Sequence, residues 1–474
     1  MILHMPKNRF LLPLIITVII FTASFTEGTT DFNPSNGLQI DTLAENLRVP
    51  WQIAFLPDKS ILFTEREGRV RLFTKGKLMA KPILNLNDVI LSNKSGALGL
   101  CIHPLFSKNR QVYLASNYNL EGRMKLRIVR YELIGDTLAN AKTILRDIPA
   151  NQNHTGCRLV FGPDSKLYIT TGDADEPMKA QSLSDYNGKI LRVNDDGSIP
   201  QDNPFVNTKG ACGEIWSFGH RNPQGLAFQP GTGLLYETEH GPTGGDEINI
   251  ITKGGNYGWP IAHHDLEQPQ MISPIRQYTP SIGPGEAMFY TGKAFPELTN
   301  KLLIACLRDE SIRVIDTKSG QITSDRLLIK GTYGRIRSLV PGPDGYIFFS
   351  TSMHDPGEGH PRDYHDDMIV KINQKGKLML IQEVATKWEK SDRDRSVSGL
   401  FRQLCASCHG ERLQGTATAK DLIGNNFRYG SDKKSIVNSI SKGIVSRGMP
   451  AWDGALSKQE VSSLADFIIS KRKM

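Results

Sequence analysis

The sequence predicts an all-β six-bladed propeller followed by a small all-α domain, and three observations carry that expectation. One phrase recurs six times: alternating apolar residues, a Pro near an Asp or Gly turn, an apolar or aromatic run, then Thr or Ser. A further strand-like stretch follows most copies. From Val397 onward the apolar period changes from two to that of a helix.

The 474 residues exceed what one core normally serves, so at least two folded units are expected. The chain opens with Lys7 and Arg9, an apolar run from Phe10 to Phe21, and then Thr22, Ala23 and Ser24. This is the order of a secretory signal peptide, placed at 1–24. A membrane anchor is the rival, but the run falls short of the ~20 apolar residues a spanning helix requires. No later segment is apolar enough to cross a bilayer, so no integral membrane segment is expected in the mature chain. An exported, periplasmic location follows.

The propeller is expected over 36–385. Its six copies are AFLPDKSILFTE (54–65), CIHPLFSKNRQVYLAS (101–116), VFGPDSKLYITTGD (160–173), AFQPGTGLLYETEHG (227–241), AFPELTNKLLIACL (294–307) and VPGPDGYIFFSTS (340–352). Period-two alternation and turn residues make each a hairpin. The stretches 68–73, 126–133, 188–193, 246–251, 311–315 and 367–372 add a third strand to each, most of a four-stranded blade, and a ring of blades removes most exposed edges. The same hairpins in a β-sandwich are the alternative. Polar loops at 174–187, 200–214 and 353–366 are expected to build a site on one face. The charged stretch at 386–396 reads as a linker, with 397–474 as the second domain.

The net charge of +8 is uneven. From Val397 to the end there are 12 Lys and Arg against 6 Asp and Glu, leaving 45 against 43 for everything earlier. No basic run interleaved with aromatics appears, which argues against a nucleic-acid partner. The basic tail serves either solubility or docking to an acidic redox partner.

Residues 405–409 read Cys-Ala-Ser-Cys-His, the attachment signature of a c-type haem. Val397, Leu400, Phe401 and Leu404 fall at helical spacing, which sets Cys405 and Cys408 one turn apart with His409 next to them as an iron ligand. A zinc site would require two more ligands, and the tail holds no other Cys or His. Met449 is the one methionine between His409 and the final residue and is the candidate sixth ligand; a Met/His pair raises the iron potential. Ser457 and Glu460 form a capping box before a helix with an apolar stripe of Val461, Leu464, Ala465 and Ile468. Together these features resemble the class I cytochrome c family over about 397–472.

Propeller loop chemistry is densest in Gly-His220-Arg221-Asn222-Pro-Gln-Gly, Glu-His240-Gly241-Pro242, Gly245-Asp246-Glu247-Ile-Asn and Gly-Gly-Asn256-Tyr257-Gly-Trp-Pro. Exposed carbonyls beside carboxylates suit calcium, although such carboxylates are also common turn and edge residues. This run, with 154–173, resembles the soluble quinoprotein glucose dehydrogenases and the aldose sugar, or sorbosone-type, dehydrogenases, over roughly 40–380. The resemblance implies a six-bladed propeller holding pyrroloquinoline quinone (PQQ) with Ca2+ on one face. It implies His154 as general base, and Arg221 and Asn222 on the quinone with Asp173 nearby. Arg335 and Arg337 would face the quinone carboxylates, with Arg308 at a cofactor-side position. The Gly241 and Pro242 carbonyls would bind the cofactor's calcium, and Glu247 with the Tyr257 carbonyl a structural one. PQQ is a planar tricarboxylate, for which guanidinium forks are the natural donors.

The function expected from these readings is oxidation of an aldose sugar at its anomeric hydroxyl, with electrons passing to a covalent haem c and then to an external acceptor such as a cytochrome or terminal oxidase. A sugar lactonase and a non-catalytic binding propeller are the alternatives; a lactonase has no need of tricarboxylate clamps. Lys94, Arg308 and Asn153 depart from the family pattern at positions of a glutamine, a lysine and a carboxylate. With no adjacent carboxylate at 153, His154 is expected to remain neutral more readily. Cys101, Cys157, Cys212 and Cys306 allow three full pairings, left open by sequence.

Overall fold

Five short runs, Ile61–Glu65, Leu167–Thr171, Leu235–Glu239, Leu302–Cys306 and Ile347–Thr351, are buried at every residue. A strand covered on both faces needs apolar side chains in both directions, and ILFTE, LYITT, LLIAC and IFFST supply them. Each is the second strand of a sheet. The computed structural model describes residues 37–242, 244–264, 268–318, 320–355, 367–382, 396–415, 420–424, 427–444, 449 and 456–472. The signal peptide and the linker expectations lie outside the described residues.

The described chain forms six antiparallel sheets. Their innermost strands are Pro50–Phe55, Ala97–Ile102, Leu159–Phe161, Pro223–Phe228, Pro284–Phe289 and Ile336–Pro341, which begin blades 1 to 6. The third-strand expectations all hold, from Arg69–Thr74 through Asp367–Gln374. Blade 6 takes its fourth strand from the start of the chain: Leu38–Leu47 pairs with Asp367–Gln374, with Leu38 opposite Gln374. This closes the ring.

One copy is out of phase. The 294–307 phrase is not a hairpin: Pro296–Leu298 is a 3-10 turn, and the inner strand lies earlier, at Pro284–Phe289. The Pro of AFPEL is the first residue of that turn, which lies in the long link between Pro284–Phe289 and Leu302–Cys306. Alternation of strand direction also corrects the loop expectation. In a four-stranded antiparallel blade the start of strand one and the link between strands two and three share one face, while the link between strands three and four lies on the other. Residues 174–187 and Met353–Asp355 are on the first face. The 200–214 loop joins Lys189–Val193 to Ile215–Phe218 and belongs to the second, where Asp202 and Asn203 hold Arg192.

Polar side chains from the inner strands meet near the axis. Glu286 of blade 5 accepts from Gln52 of blade 1 at 3.3 Å, from Ser338 and from the Leu339 amide at 3.0 Å. Fully buried Arg158 lies 3.2 Å from Glu286, donates to the Gln224 carbonyl at 2.9 Å and sits over the Trp51 ring at 4.4 Å. Removing one partner of such a pair strands the other, at a cost of about 3–5 kcal/mol.

The C-terminal domain is helical. Val397–Leu404 starts at a Ser396 cap, Lys433–Lys442 at Asp432, and Lys458–Ser470 at the expected Ser457/Glu460 capping box. A Ser or Asp cap contributes about 1 kcal/mol. Val461, Leu464, Ala465 and Ile468 are buried with Leu400 and Phe401 in one cluster, as the stripe predicts.

Candidate active site

Seven of the cleft residues lie at or next to the starts of inner strands or the ends of second strands, hence on one face. Trp51, Lys94, His154, Asn222, Gln224, His240, Leu307, Arg335, Arg337 and Asp355 are among those lining a cleft of about 420 Å³, its open mouth included.

His154 is placed by glycines. Any side chain at Gly172 would put its Cβ 1.9 Å from the His154 carbonyl, so only glycine lets the two segments meet. His154 itself has φ of 47°, a left-handed conformation uncommon outside glycine and often found at functional sites. Its Nδ1 lies 2.8 Å from Oδ1 of Asp173 and 3.5 Å from Asp175. The other Asp173 oxygen accepts from Trp259 Nε1 at 2.8 Å. Burial pushes the Asp173 carboxyl up, but His154, Arg221 and the Trp259 N–H outweigh it and hold it below the usual carboxylate range.

One expectation is corrected here. Asn153 does lack a carboxylate, but His154 is not without an adjacent negative charge, because Asp173 and Asp175 supply it through the fold. Asp173, expected on the cofactor side, is fully buried with one oxygen on His154 and the other on Trp259. His154, Asp173 and Asp175 also cluster closely enough to hold a metal ion; the 2.8 Å hydrogen bond instead marks a carboxylate–imidazole pair, leaving Nε2 for the cleft.

Arg221 donates through Nη1 to the carbonyls of His240 at 3.1 Å and Gly241 at 2.9 Å, and its guanidinium lies 5.2 Å from the Trp259 ring centroid. Its Nε is buried without a partner. Asn222 is held by Glu239, which accepts from its amide at 3.2 Å, and by Gln224. His240 is half-buried and its Nε2 contacts the Pro284 carbonyl at 2.8 Å. Burial, then Lys94, Arg221 and Arg337, push its pKa far down, so it stays neutral.

The opposite wall is cationic. Asp355, 2% exposed, faces Arg66 and Arg337 directly and Arg335 at 3.8 Å. Lys94 also acts on Asp355. Among the described residues, three guanidiniums therefore face the Asp355 carboxylate. Burial pushes Arg337 down to about 10 despite Asp355, with Arg335, Arg66 and Arg158 adding to the effect. Arg335 Nε has no partner.

Arg308 is exposed, beside Leu307, which lines the cleft. Glu247 and Tyr257 do come together, lining a separate cavity of about 260 Å³ with His263 and His264. Burial and then Glu239 push the Glu247 carboxyl well up. Gly241 and Pro242 form a turn in which the Gly241 amide donates to Asp246 at 2.9 Å.

In the helical domain, Cys405 and Met449 pack against the same apolar cluster. His409 Nδ1 lies 3.3 Å from the Lys420 carbonyl, which frees Nε2 for iron. The Cys408 side chain lies outside the described residues. Cys101, Cys157, Cys212 and Cys306 form no disulfide.

Sequence reasoning missed Trp51, Arg66 and Asp355, none of which stands in a motif, and gave no role to Trp259, the Trp of the Asn256-Tyr257-Gly-Trp-Pro run.

Residues 47–358 match the family Glucose / Sorbosone dehydrogenase. The chain belongs to this family. Residues 392–468 match Cytochrome C oxidase, cbb3-type, subunit III. The aldose sugar dehydrogenase of Escherichia coli is 34% identical over 334 residues, covering 66% of this chain and 90% of that protein. Quinoprotein glucose dehydrogenase B of Acinetobacter calcoaceticus is 34% identical over 248 residues, 46% of this chain and 51% of the other. The PQQ-bound aldose sugar dehydrogenase of Streptomyces coelicolor superposes with a TM-score of 0.61 at 28% identity, covering 72% of this chain and 99% of that one. This member of the glucose/sorbosone dehydrogenase family is thus an oxidoreductase on a six-bladed propeller, joined to a cytochrome c domain.

Proposed function

We propose that the chain oxidises an aldose at its anomeric carbon to the lactone, using PQQ and Ca2+ in the cleft and passing electrons through a covalent haem c to an external acceptor in the periplasm. The observation that carries this reading is the meeting, on one face, of a carboxylate-oriented histidine with the Arg66, Arg335 and Arg337 guanidiniums around Asp355. When bound, PQQ supplies the two-electron acceptor for the hydride lost from C1, and the haem a one-electron relay.

The protein's own part follows from the residues. His154 Nε2 accepts the proton of the C1 hydroxyl while Asp173 stabilises the resulting imidazolium. Arg335, Arg337 and Lys94 suit the carboxylates of a planar tricarboxylate, and the partnerless Arg335 Nε has a donor to offer. Arg221 directs its positive charge to the same cleft. The Gly241 and Pro242 carbonyls are the donors for the cleft calcium, with Gly241 sharing its oxygen with Arg221, and Glu247 with Tyr257 suits the structural one. Cys405 and Cys408 would hold the haem, with His409 and Met449 axial. Tethering the haem gives the reduced site a high local concentration of acceptor.

The test is reconstitution. The full chain, freed of PQQ and calcium, is given both and then a panel of aldoses, with the haem band recorded. Reduction should need PQQ, calcium and sugar together. Reduction in thoroughly stripped protein, or none with any aldose, would reject the proposal.

A further inference from the structure

Blade 4 buries more carboxylates than it pairs. Glu237 and Glu239 are two residues apart on Leu235–Glu239 and so share a face. Across the ladder, Glu239 stands opposite Glu247 and Glu237 opposite Asn249. Glu237, Asn249 and His220 are fully buried and Glu239 is 2% exposed. Among the described residues, the ion pair nearest these three glutamates is His220 Nδ1 with Glu239 Oε1, at 3.5 Å.

The second observation is that inner atoms are left over while outer ones are engaged. His220 Nδ1 and Glu237 Oε1 are buried without a hydrogen-bond partner, as is Asn249 Oδ1. One ligand atom from each of His220, Glu237 and Glu239 lies within 4.8 Å of the other two. The remaining atoms are fixed. His220 Nε2 pairs with Ser217 Oγ at 2.9 Å, and its ring stacks 4.7 Å from Tyr257. Glu237 Oε2 accepts from Asn249 at 3.0 Å. Glu239 Oε2 accepts from the Arg221 and Asn222 amides. Ligand side chains of metal sites are held this way, by outer hydrogen bonds that aim inner lone pairs at one point.

We propose that His220, Glu237 and Glu239, with Asn249 Oδ1 as a candidate fourth donor, bind a first-row divalent transition-metal ion such as zinc or manganese. Its ligand set shares no residue with either expected calcium position, although Glu239 stands opposite Glu247 and His220 stacks on Tyr257. Calcium takes six to eight oxygens, whereas an imidazole with two carboxylates suits the borderline transition metals. Glu239 also carries the Arg221 and Asn222 amides, so the ion would brace the floor of the cleft. The inference does not depend on PQQ chemistry, and its test reads metal rather than turnover.

Full-length protein is stripped with chelator, equilibrated with micromolar zinc or manganese in excess calcium, and analysed for metal content apart from haem iron. One equivalent should bind in the presence of calcium. Glu237→Gln and, separately, His220→Gln should weaken that binding at least ~10–100-fold, with calcium and haem content kept. Melting gives a second readout with opposite signs. In chelator Glu237→Gln should melt above the parent, because one of three adjacent buried carboxylates is gone; with zinc the order should reverse. No zinc or manganese beyond that held by Glu237→Gln, displacement by calcium, or a melting order unchanged by metal would each overturn the proposal.

Discussion

The imidazole of His154 and the carboxylate of Asp173, nineteen residues apart, meet at 2.8 Å. The left-handed turn at His154 and the glycine at 172 permit the contact, and Trp259 fixes the far side of the carboxylate. If His154 is the base, His154→Ala should lower kcat by ~10²–10⁴-fold with little change in PQQ affinity. Asp173→Asn should act in the same direction, up to about 10⁴-fold, since it can turn the histidine to the wrong tautomer. Stopped-flow haem reduction against PQQ titration separates the two quantities. Equal loss of PQQ affinity in His154→Ala would place the base elsewhere.

The cationic wall should behave differently. Arg335→Ala removes a charge-assisted donor and should raise the PQQ Kd about 10–100-fold, matching about 1.5–3 kcal/mol. Arg221→Ala should weaken both PQQ binding and turnover. Fluorescence titration with PQQ in calcium buffer measures the first effect; unchanged affinity in Arg335→Ala would separate the arginines from the cofactor.

Acid should destabilise the propeller through Asp355. Burial raises this carboxyl, but Arg337, Arg66, Arg335 and Lys94 outweigh it and leave it below the usual range. A carboxyl depressed on folding contributes stability that is complete above its unfolded value of about 4 and is lost as pH falls through the folded value. The melting temperature should therefore drop below about pH 4, and Asp355→Asn should be less stable at pH 7 with a shallower acid slope. A parallel slope in the variant would remove Asp355 from the cause.

For the haem, Met449→Ala should leave covalent attachment intact and lower the potential, read by pyridine haemochrome and redox titration. Cys405→Ser should reduce attachment. A potential unmoved by loss of Met449 would mean another sixth ligand.

The ring was legible because most second strands are short, apolar and carry Thr or Ser near their ends, a local signal that accompanies burial on both faces. The fifth copy misled because AFPEL imitates the phrase while the strand itself, PGEAMF, carries a glycine and a glutamate directed at the axis. The helical domain was legible because caps and heptad-like spacing are local. Partners across blades were not: Asp355 joins Arg66 across 289 residues, and Trp259 reaches Asp173 across 86. Asp355 carries no sequence signature, and the run that holds Trp259 does not say which carboxylate the indole reaches. The 200–214 loop had the composition of a site loop but the wrong parity in its blade.

The pairing of Leu38 with Gln374 has a mechanical meaning. Both ends of the ring leave from neighbouring positions on one antiparallel strand pair. Tension drawing the incoming segment away from the outgoing one would meet the pair end-on and part its hydrogen bonds one after another, not shear them together. Blade 6 is then the weak seam under pull, and the other five blades can stay folded while it opens. The chain that follows Gln374 is pinned to the outer strand of blade 5, where Ile381 and Leu327 exchange two backbone hydrogen bonds at 2.9 and 3.0 Å, so load from the cytochrome side meets that bridge before it reaches the clasp of the ring.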